Sequence, residues 1–175
     1  MKWRFEIRRR ISNDKEIWML TQIHYWTATI YSVCLLCMAI WIPLVRRLPP
    51  ERCMGRFSRV LVIYHPFILV LLGVILMTGA MLITELKIRI GVEFFEVMFH
   101  SLGQKLLIFF LIALYSSHMF FGVGLKLTRA NAPLELREFE MPMEDQLRTL
   151  RRLHTGTIVN LGLTIYAYAL GVTMV

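Results

Sequence analysis

The sequence predicts an all-α protein, an integral membrane antiparallel four-helix bundle. Two observations lead to this class, the composition and the distribution of charge. Of the 175 residues, 57% are hydrophobic and 18% are charged, whereas a soluble domain is about half apolar and about a quarter charged. The charged residues are also confined to a few segments, which leaves long uncharged stretches between them. A helix that crosses a bilayer needs about 20 apolar residues in sequence.

Four apolar stretches are long enough to cross a bilayer once each. Within the third, Lys105 is the single Asp, Glu, Lys or Arg residue. Because short segments join consecutive helices, the helices alternate in direction, and residues 1–175 form one transmembrane domain with both termini on the same side. We place the four helices at about 18–44, 59–84, 97–125 and 152–174.

The N-terminal segment 1–16 is basic, and Trp3, Ile7 and Ile11 recur in it at every fourth position. This spacing predicts a short helix that lies on the membrane surface; a flexible basic tail is the alternative. No A-x-A cleavage site follows the first apolar stretch, so we expect that stretch to remain as an anchor.

The basic residues also predict the orientation and the partners of the chain. The N-terminal tail and the second loop carry eight Lys and Arg residues, against eleven in loops one and three. We expect the chain to lie in a bacterial inner membrane. By the positive-inside rule, the difference in basic residues favours an orientation with loops one and three on the cytoplasmic side. The net charge is +8, and we expect the basic side chains that produce it to contact anionic membrane lipid and not nucleic acid.

When the helices alternate in direction, the five histidines fall into two groups according to their depth in the membrane. His24 and His100 fall near the membrane side of the N-terminus, and His65, His118 and His154 fall near the opposite side. His100 and His118 are eighteen residues apart, which is five whole turns, so both project from one face of the third helix.

This arrangement suits haem, because imidazoles on facing helices of a bundle core are common axial ligands of haem iron. We predict one or two haem b groups. His65 and His118 would ligate the iron of one, and His24 and His100 that of the other. His154 follows Arg151 and Arg152, and we predict that it contacts a haem propionate or a quinone.

The neighbours of His118 on its helical face support a bound macrocycle. Tyr115 lies beside it, and we include this residue among those that bind the cofactor. Leucines fill the middle of the face, and glycines near each histidine leave room for a flat ring. The residues within about 60° of the two histidines are Gly103, Gln104, Leu107, Leu111, Leu114, Tyr115 and Gly122.

Lys105 is the candidate catalytic residue. An ionisable side chain inside a bilayer costs several kcal/mol unless it finds a partner. Lys105 could neutralise a carboxylate or a phosphate, or lie near a quinone carbonyl. The alternative is that its ammonium group extends along the helix to the membrane surface.

Three segments carry a family resemblance over about residues 20–125. QIHYWTATIYSVCLLCMAIWIPLVRRLP, RFSRVLVIYHPFILVLLGVILMTGAML and FHSLGQKLLIFFLIALYSSH resemble the superfamily that contains the copper resistance protein D membrane domain and the bacterial membrane protoporphyrinogen oxidase of haem synthesis. The fourth helix departs from it, since RRLHTGTIVN stands where oxidase-like members carry an Asn-Glu-x-Pro element. The resemblance implies b-type haem and adds Arg47 to the cofactor-binding residues. The matching positions are His24, Arg47, Pro66, Gly73, Lys105 and His118.

Four functions remain open at this stage. The first is an integral membrane b-type cytochrome that passes electrons between a quinone and a redox partner, either another protein or a second copy of the chain. The second is a haem-biosynthesis enzyme similar to protoporphyrinogen oxidase. The third is a copper-handling membrane protein, suggested by eleven methionines and five histidines, which are suitable copper ligands. The fourth is a structural anchor subunit without a cofactor. Whether the chain is itself an enzyme stays open.

Overall fold

A computed structural model of the chain confirms the all-α prediction, and the residues it describes contain no strand. It describes the backbone of residues 2–47, 49–91, 94–131 and 141–172. Within these ranges the side chains of 2–14, 50–53, 89–90, 94–101 and 171–172 are not described. The elements are α1 (Lys2–Val45), α2 (Pro50–Ile90), α3 (Phe94–His118), a π-helical segment (Met119–Gly124), α4 (Leu125–Ala130) and α5 (Met143–Val172).

The elements form a ring of four helices. The π-helical segment and α4 continue α3 without a break, so residues 94–130 act as one helix, which we call the third helix. α1 packs against α2 and α5, and the third helix packs against the same two. Spatial order therefore follows chain order, as expected of an antiparallel bundle with short connections.

Three of the four helices are long and apolar enough to cross a membrane, over Lys15–Val45, Met54–Ile88 and Leu102–Ala130. The chain is accordingly a membrane protein. The fourth predicted span, 152–174, overlaps α5, which ends at Val172 and whose described residues are not apolar enough to count among these spanning helices. α5 carries several polar side chains. Three of them, Thr157, Asn160 and Thr164, are buried, so α5 directs part of its polar surface into the bundle.

Two helix boundaries follow from local backbone chemistry. Pro49 precedes α2 and Pro50 is its first residue; proline is favoured at the first helical position because an N–H there would have no partner within the helix. α2 ends at Ile90, and Gly91 follows it with a φ of 72° and a ψ of −134°, a conformation that glycine adopts readily because it has no β-carbon; its N–H donates to the Lys87 carbonyl. At the other end of the chain, α1 begins at Lys2, so residues 2–16 are a direct extension of the first spanning helix.

The core consists of two apolar clusters, one above the other, and Tyr64 packs against both. Large apolar side chains also cover the outer surface, with Ile63, for example, 75% exposed. This is expected in a membrane, where lipid is as apolar as the core. One cluster includes Ile42, Phe57, Leu61, Leu127 and Leu150, and the other includes Tyr31, Leu35, Ile68, Ile108 and Ile112.

Candidate ligand groove beside His118

His118 is exposed and lines two adjoining cavities between the third helix and α5. Tyr115 also lines both, so the cavities share a wall and form one groove, the His118 groove. The first cavity, of about 430 Å³, is lined by Tyr115, His118, Met119, Val123, Arg148, Arg151, Arg152 and Thr155. The second, of about 450 Å³, is lined by Leu111, Leu114, Tyr115, His118 and Leu163.

The two ends of the His118 groove differ in chemistry. At one end, Arg148, Arg151 and Arg152 line the cavity, and no acidic residue from the described part of the chain is in its lining. An arginine guanidinium binds carboxylate and phosphate groups through paired hydrogen bonds. At the other end the lining is mainly leucine. Each cavity also has the size of a small-molecule site, about 300–1,000 Å³. The groove is therefore suited to an amphiphilic ligand with an anionic end.

The π-helical segment begins directly after His118. Such segments are rare and occur frequently at functional sites. Here it brings Val123 and Gly124 into the interior, while the His118 ring lies over Gly122. A β-carbon at Gly122 would stand 3.4 Å from His118 Cε1, which is ordinary contact. Gly122 thus borders the His118 ring, and the ring lines both cavities.

The helical face that His118 shares with leucine and glycine points outward. Leu107, Leu111 and Leu114 are exposed, whereas Ile108 and Ile112 fill the core. The sequence favoured a haem inside the bundle, but the structure places this face at the membrane surface. The reason is that isoleucines four residues apart pack between the helices, and the leucine face is left for lipid and for the His118 groove.

His65 has different surroundings from His118. It is buried, and its ring makes an edge contact with Phe120 at a centroid distance of 5.4 Å. The ring also fills the space in which a side chain of Gly124 would lie. Phe120 is two residues after His118, and residues at that spacing face different sides of a helix. These contacts do not bring His65 and His118 into one cavity, and their pairing on a haem iron stays a prediction.

His24 is held by α2 near the other end of the bundle. Its Nδ1 lies 2.9 Å from Thr78 Oγ1, and the Thr78 hydroxyl donates to the Val74 carbonyl at 2.7 Å. Nδ1 is then the donor to Thr78, and the lone pair of the ring resides on Nε2. His100 lies in α3, but its side chain is outside the described residues. The predicted site between His24 and His100 therefore stays a prediction.

His154 connects α5 to α1 at a proline. Its Nε2 donates to the Ala39 carbonyl at 3.2 Å. In a regular helix this carbonyl would accept from residue 43, which is Pro43 and has no N–H. His154 thus supplies the donor that Pro43 lacks. Because Nε2 is engaged in this way, Nδ1 would have to make the predicted contact with a propionate or a quinone.

Two other predicted residues lie away from the His118 groove. Lys105 is half-buried and precedes His118 by thirteen residues, which is about 20 Å along a helix. Arg47 is exposed in the turn after α1. Of the predicted site residues, the groove brings together His118 and Tyr115 with arginines of α5.

Arg148 and Leu163 line the groove but were not among the residues predicted to bind a ligand. Arg148 had a recognisable signal, because positions 148, 151, 152 and 155 follow the i, i+3, i+4, i+7 spacing of one helical face. That spacing places three arginines side by side at the start of α5. Leu163 had no such signal, since nothing in the sequence indicates which apolar residues of two helices border a common space.

No family model, curated protein or solved structure matches this chain. Among the residues that the structure describes, no three His, Cys, Asp or Glu side chains come together to hold a metal ion. A ligand of the groove must therefore be inferred from the chemistry of the lining residues.

Proposed function

We propose that the chain is an integral membrane b-type cytochrome that binds haem in the His118 groove and passes electrons between a membrane quinone and a redox partner. One observation supports this most directly. His24 and His154 are hydrogen-bonded to neighbouring helices, and His65 is buried against Gly124. His118, in contrast, is exposed at the junction of a cationic and an apolar cavity.

The lining residues suit the three chemical parts of haem. A neutral imidazole is a common axial ligand of haem iron, and the His118 ring faces both cavities. Leu111, Leu114 and Leu163 would cover the apolar macrocycle. The arginines of α5 would pair with the two propionates. When bound, the haem supplies an iron that takes up and releases one electron.

The position of the groove also suits exchange with a quinone. The groove lies beside the exposed leucine face of the third helix, so a ligand dissolved in the lipid would reach it without crossing the bundle. The arginine end lies near the start of α5, which begins at Met143, where a water-soluble partner could approach.

The test is the haem content of purified variants. We expect His118→Ala to lose most of the haem per protein, while His65→Ala keeps it, because His65 faces Gly124 and not the groove. Circular dichroism and gel filtration in detergent establish that both variants are folded. If His65→Ala loses the same spectral component as His118→Ala, the histidine pair predicted from the sequence is correct. If His118→Ala keeps all its haem, the proposal is wrong.

A second pair of variants tests the arginine end. Arg151→Gln with Arg152→Gln should weaken haem retention on dilution in detergent. The control is Arg56→Gln with Arg59→Gln, which removes the same charge from exposed positions of α2 that do not line the groove. Equal haem loss in both pairs would indicate an effect of net charge and not of carboxylate binding.

The same arginines support one alternative, an enzyme similar to protoporphyrinogen oxidase. A porphyrinogen also carries carboxylates and an apolar ring, and would use both ends of the groove. Incubation of the purified protein with protoporphyrinogen and quinone distinguishes the two functions. Porphyrin fluorescence that appears with wild type, and not with His118→Ala, would favour the enzyme.

A further inference from the structure

A buried polar cluster connects three helices in the interior of the bundle. Tyr31 of α1, Ser116 of α3 and Asn160 of α5 are 2%, 6% and 4% exposed. Asn160 Nδ2 donates to Tyr31 Oη at 2.9 Å and to Ser116 Oγ at 2.7 Å. Tyr31 Oη and Ser116 Oγ are themselves 3.1 Å apart, so one of these hydroxyls donates to the other.

The hydrogen bonds of this cluster do not close. Both N–H groups of Asn160 are used, but its Oδ1 is buried without a partner among the described residues. One hydroxyl hydrogen of Tyr31 or Ser116 is also left over, since only one is needed between them. Rotating the amide by 180° would let Oδ1 accept from both hydroxyls, but its two N–H groups would then be unpaired. Either orientation leaves part of the amide unsatisfied.

The second helix adds another unpaired group. Tyr64 Oη is buried and has no hydrogen-bond partner in the described part of the chain. Tyr64 packs against the core cluster that contains Tyr31. Each helix of the bundle therefore contributes one polar side chain to the region of this core cluster. Three of these four side chains are incompletely paired: Asn160, Tyr64, and either Tyr31 or Ser116.

Unpaired polar groups are unfavourable in this environment. Inside a bilayer no bulk solvent is available to satisfy them, and a buried donor or acceptor without a partner costs about 1–3 kcal/mol. Natural proteins satisfy such groups with internal water that makes about three hydrogen bonds. A water molecule can donate to Asn160 Oδ1 and accept from a hydroxyl, which is the combination that remains.

We propose that the bundle binds an internal water molecule between the Asn160 amide and the Tyr64 hydroxyl. This site is separate from the His118 groove, and it does not depend on the proposed function. The water joins α2 to the polar cluster of the other three helices, so all four helices share one hydrogen-bond network.

Removal of single hydroxyls in the full-length protein tests the proposal. Tyr64→Phe deletes a hydroxyl that has no partner among the described residues, so without a bound water this change is neutral or stabilising. With the water we expect the folded-to-unfolded ratio to fall about fivefold, measured by unfolding in mixed detergent micelles. Tyr166→Phe is the matched control, because Tyr166 is exposed on α5, and it should leave the ratio unchanged.

A double-mutant cycle and radiolytic labelling complete the test. Asn160→Leu removes the other side of the water site, so Tyr64→Phe should have little further effect in that background. X-ray pulses that produce hydroxyl radicals from bound water should oxidise Tyr64 in wild type and much less in Asn160→Leu. A neutral or stabilising Tyr64→Phe, additive with Asn160→Leu and without oxidation of Tyr64, would overturn the proposal.

Discussion

His65 of α2 and His118 of the third helix both lie near the C-terminal end of the third helix, but they have opposite surroundings. The His65 ring is buried between Phe120 and the backbone at Gly124. The His118 ring is exposed; it lies beside Gly122 and lines two cavities. Each ring lies beside a glycine. Gly124 is buried and allows the His65 ring of α2 to pack closely against the third helix. Gly122 is exposed and contacts a histidine of its own helix.

The difference shows what decides whether a polar residue in a membrane bundle is structural or available to a ligand. Hydrophobicity does not separate the two cases, because lipid and core are equally apolar. What separates them is whether a neighbouring helix fills the space around the ring. α2 and the third helix meet at His65 and Gly124, whereas the third helix and α5 leave the His118 groove open.

The largest expected effect comes from substitution of Gly124. A β-carbon at Gly124 would overlap the His65 ring, so Gly124→Ala forces either the ring or the helices apart. We expect it to lower the free energy of unfolding by about 2–3 kcal/mol, which is typical of overpacking. Gly122→Ala is the control, since its β-carbon meets His118 at ordinary contact distance, and it should change the free energy by less than about 0.5 kcal/mol.

The contrast between the glycines can be sharpened by rescue. In a His65→Ala background the space opposite Gly124 is empty, and Gly124→Ala should lose most of its effect. The free energy of unfolding in mixed micelles is measured for the wild type, for Gly124→Ala, for His65→Ala and for the double variant. Equal losses for Gly124→Ala and Gly122→Ala would show that His65 is not packed as the structure has it.

The fold was predictable from the sequence because membrane insertion depends on composition over long windows. Uncharged stretches gave the four helices, and loop lengths gave their alternation. The continuous helix from Lys2 was not foreseen, because the tail 1–16 is too polar to distinguish a helical extension from a separate surface segment. The π-helical segment was not foreseen either, since its residues do not differ in type from those of an ordinary apolar helix.

The site was only partly predictable. Repeat spacing placed His118, Tyr115 and three leucines on one face of the third helix, and the structure places His118, Tyr115 and two of these leucines, Leu111 and Leu114, along one groove. The same spacing could not decide which face packs inward, because the isoleucine face is equally apolar. The role of His154 required knowledge that α1 and α5 are neighbours, so that Pro43 and a histidine 111 residues later could be related.

An intermediate effect is expected at His154, which is structural like His65 and not open like His118. His154→Ala leaves the Ala39 carbonyl without its donor, and an unpaired buried acceptor costs about 1–2 kcal/mol of unfolding free energy. Pro43→Ala restores a backbone N–H that can donate to the same carbonyl. In that background His154→Ala should cost less than half as much.

The cycle at Pro43 also separates structure from ligand binding. If His154 instead serves mainly a bound ligand, its substitution should reduce haem content without the coupling to Pro43→Ala. Additive stability changes for the two positions would therefore count against the hydrogen bond to Ala39 and favour the predicted contact of His154 with a propionate or a quinone.

The smallest expected effect concerns His24, the third histidine held by a neighbouring helix. Thr78→Val removes the hydroxyl that accepts from His24 Nδ1 but keeps a side chain of similar shape. Thr84 offers a close control, because it lies on the same helix and its hydroxyl donates to the carbonyl four residues earlier, as that of Thr78 does. We expect Thr78→Val to be about 1 kcal/mol more destabilising than Thr84→Val, the value of one hydrogen bond. The difference should disappear in a His24→Phe background, where the ring has no donor. If Thr78→Val and Thr84→Val are equally mild in the wild-type chain, His24 is not tied to α2, and it would resemble His118 more than His65.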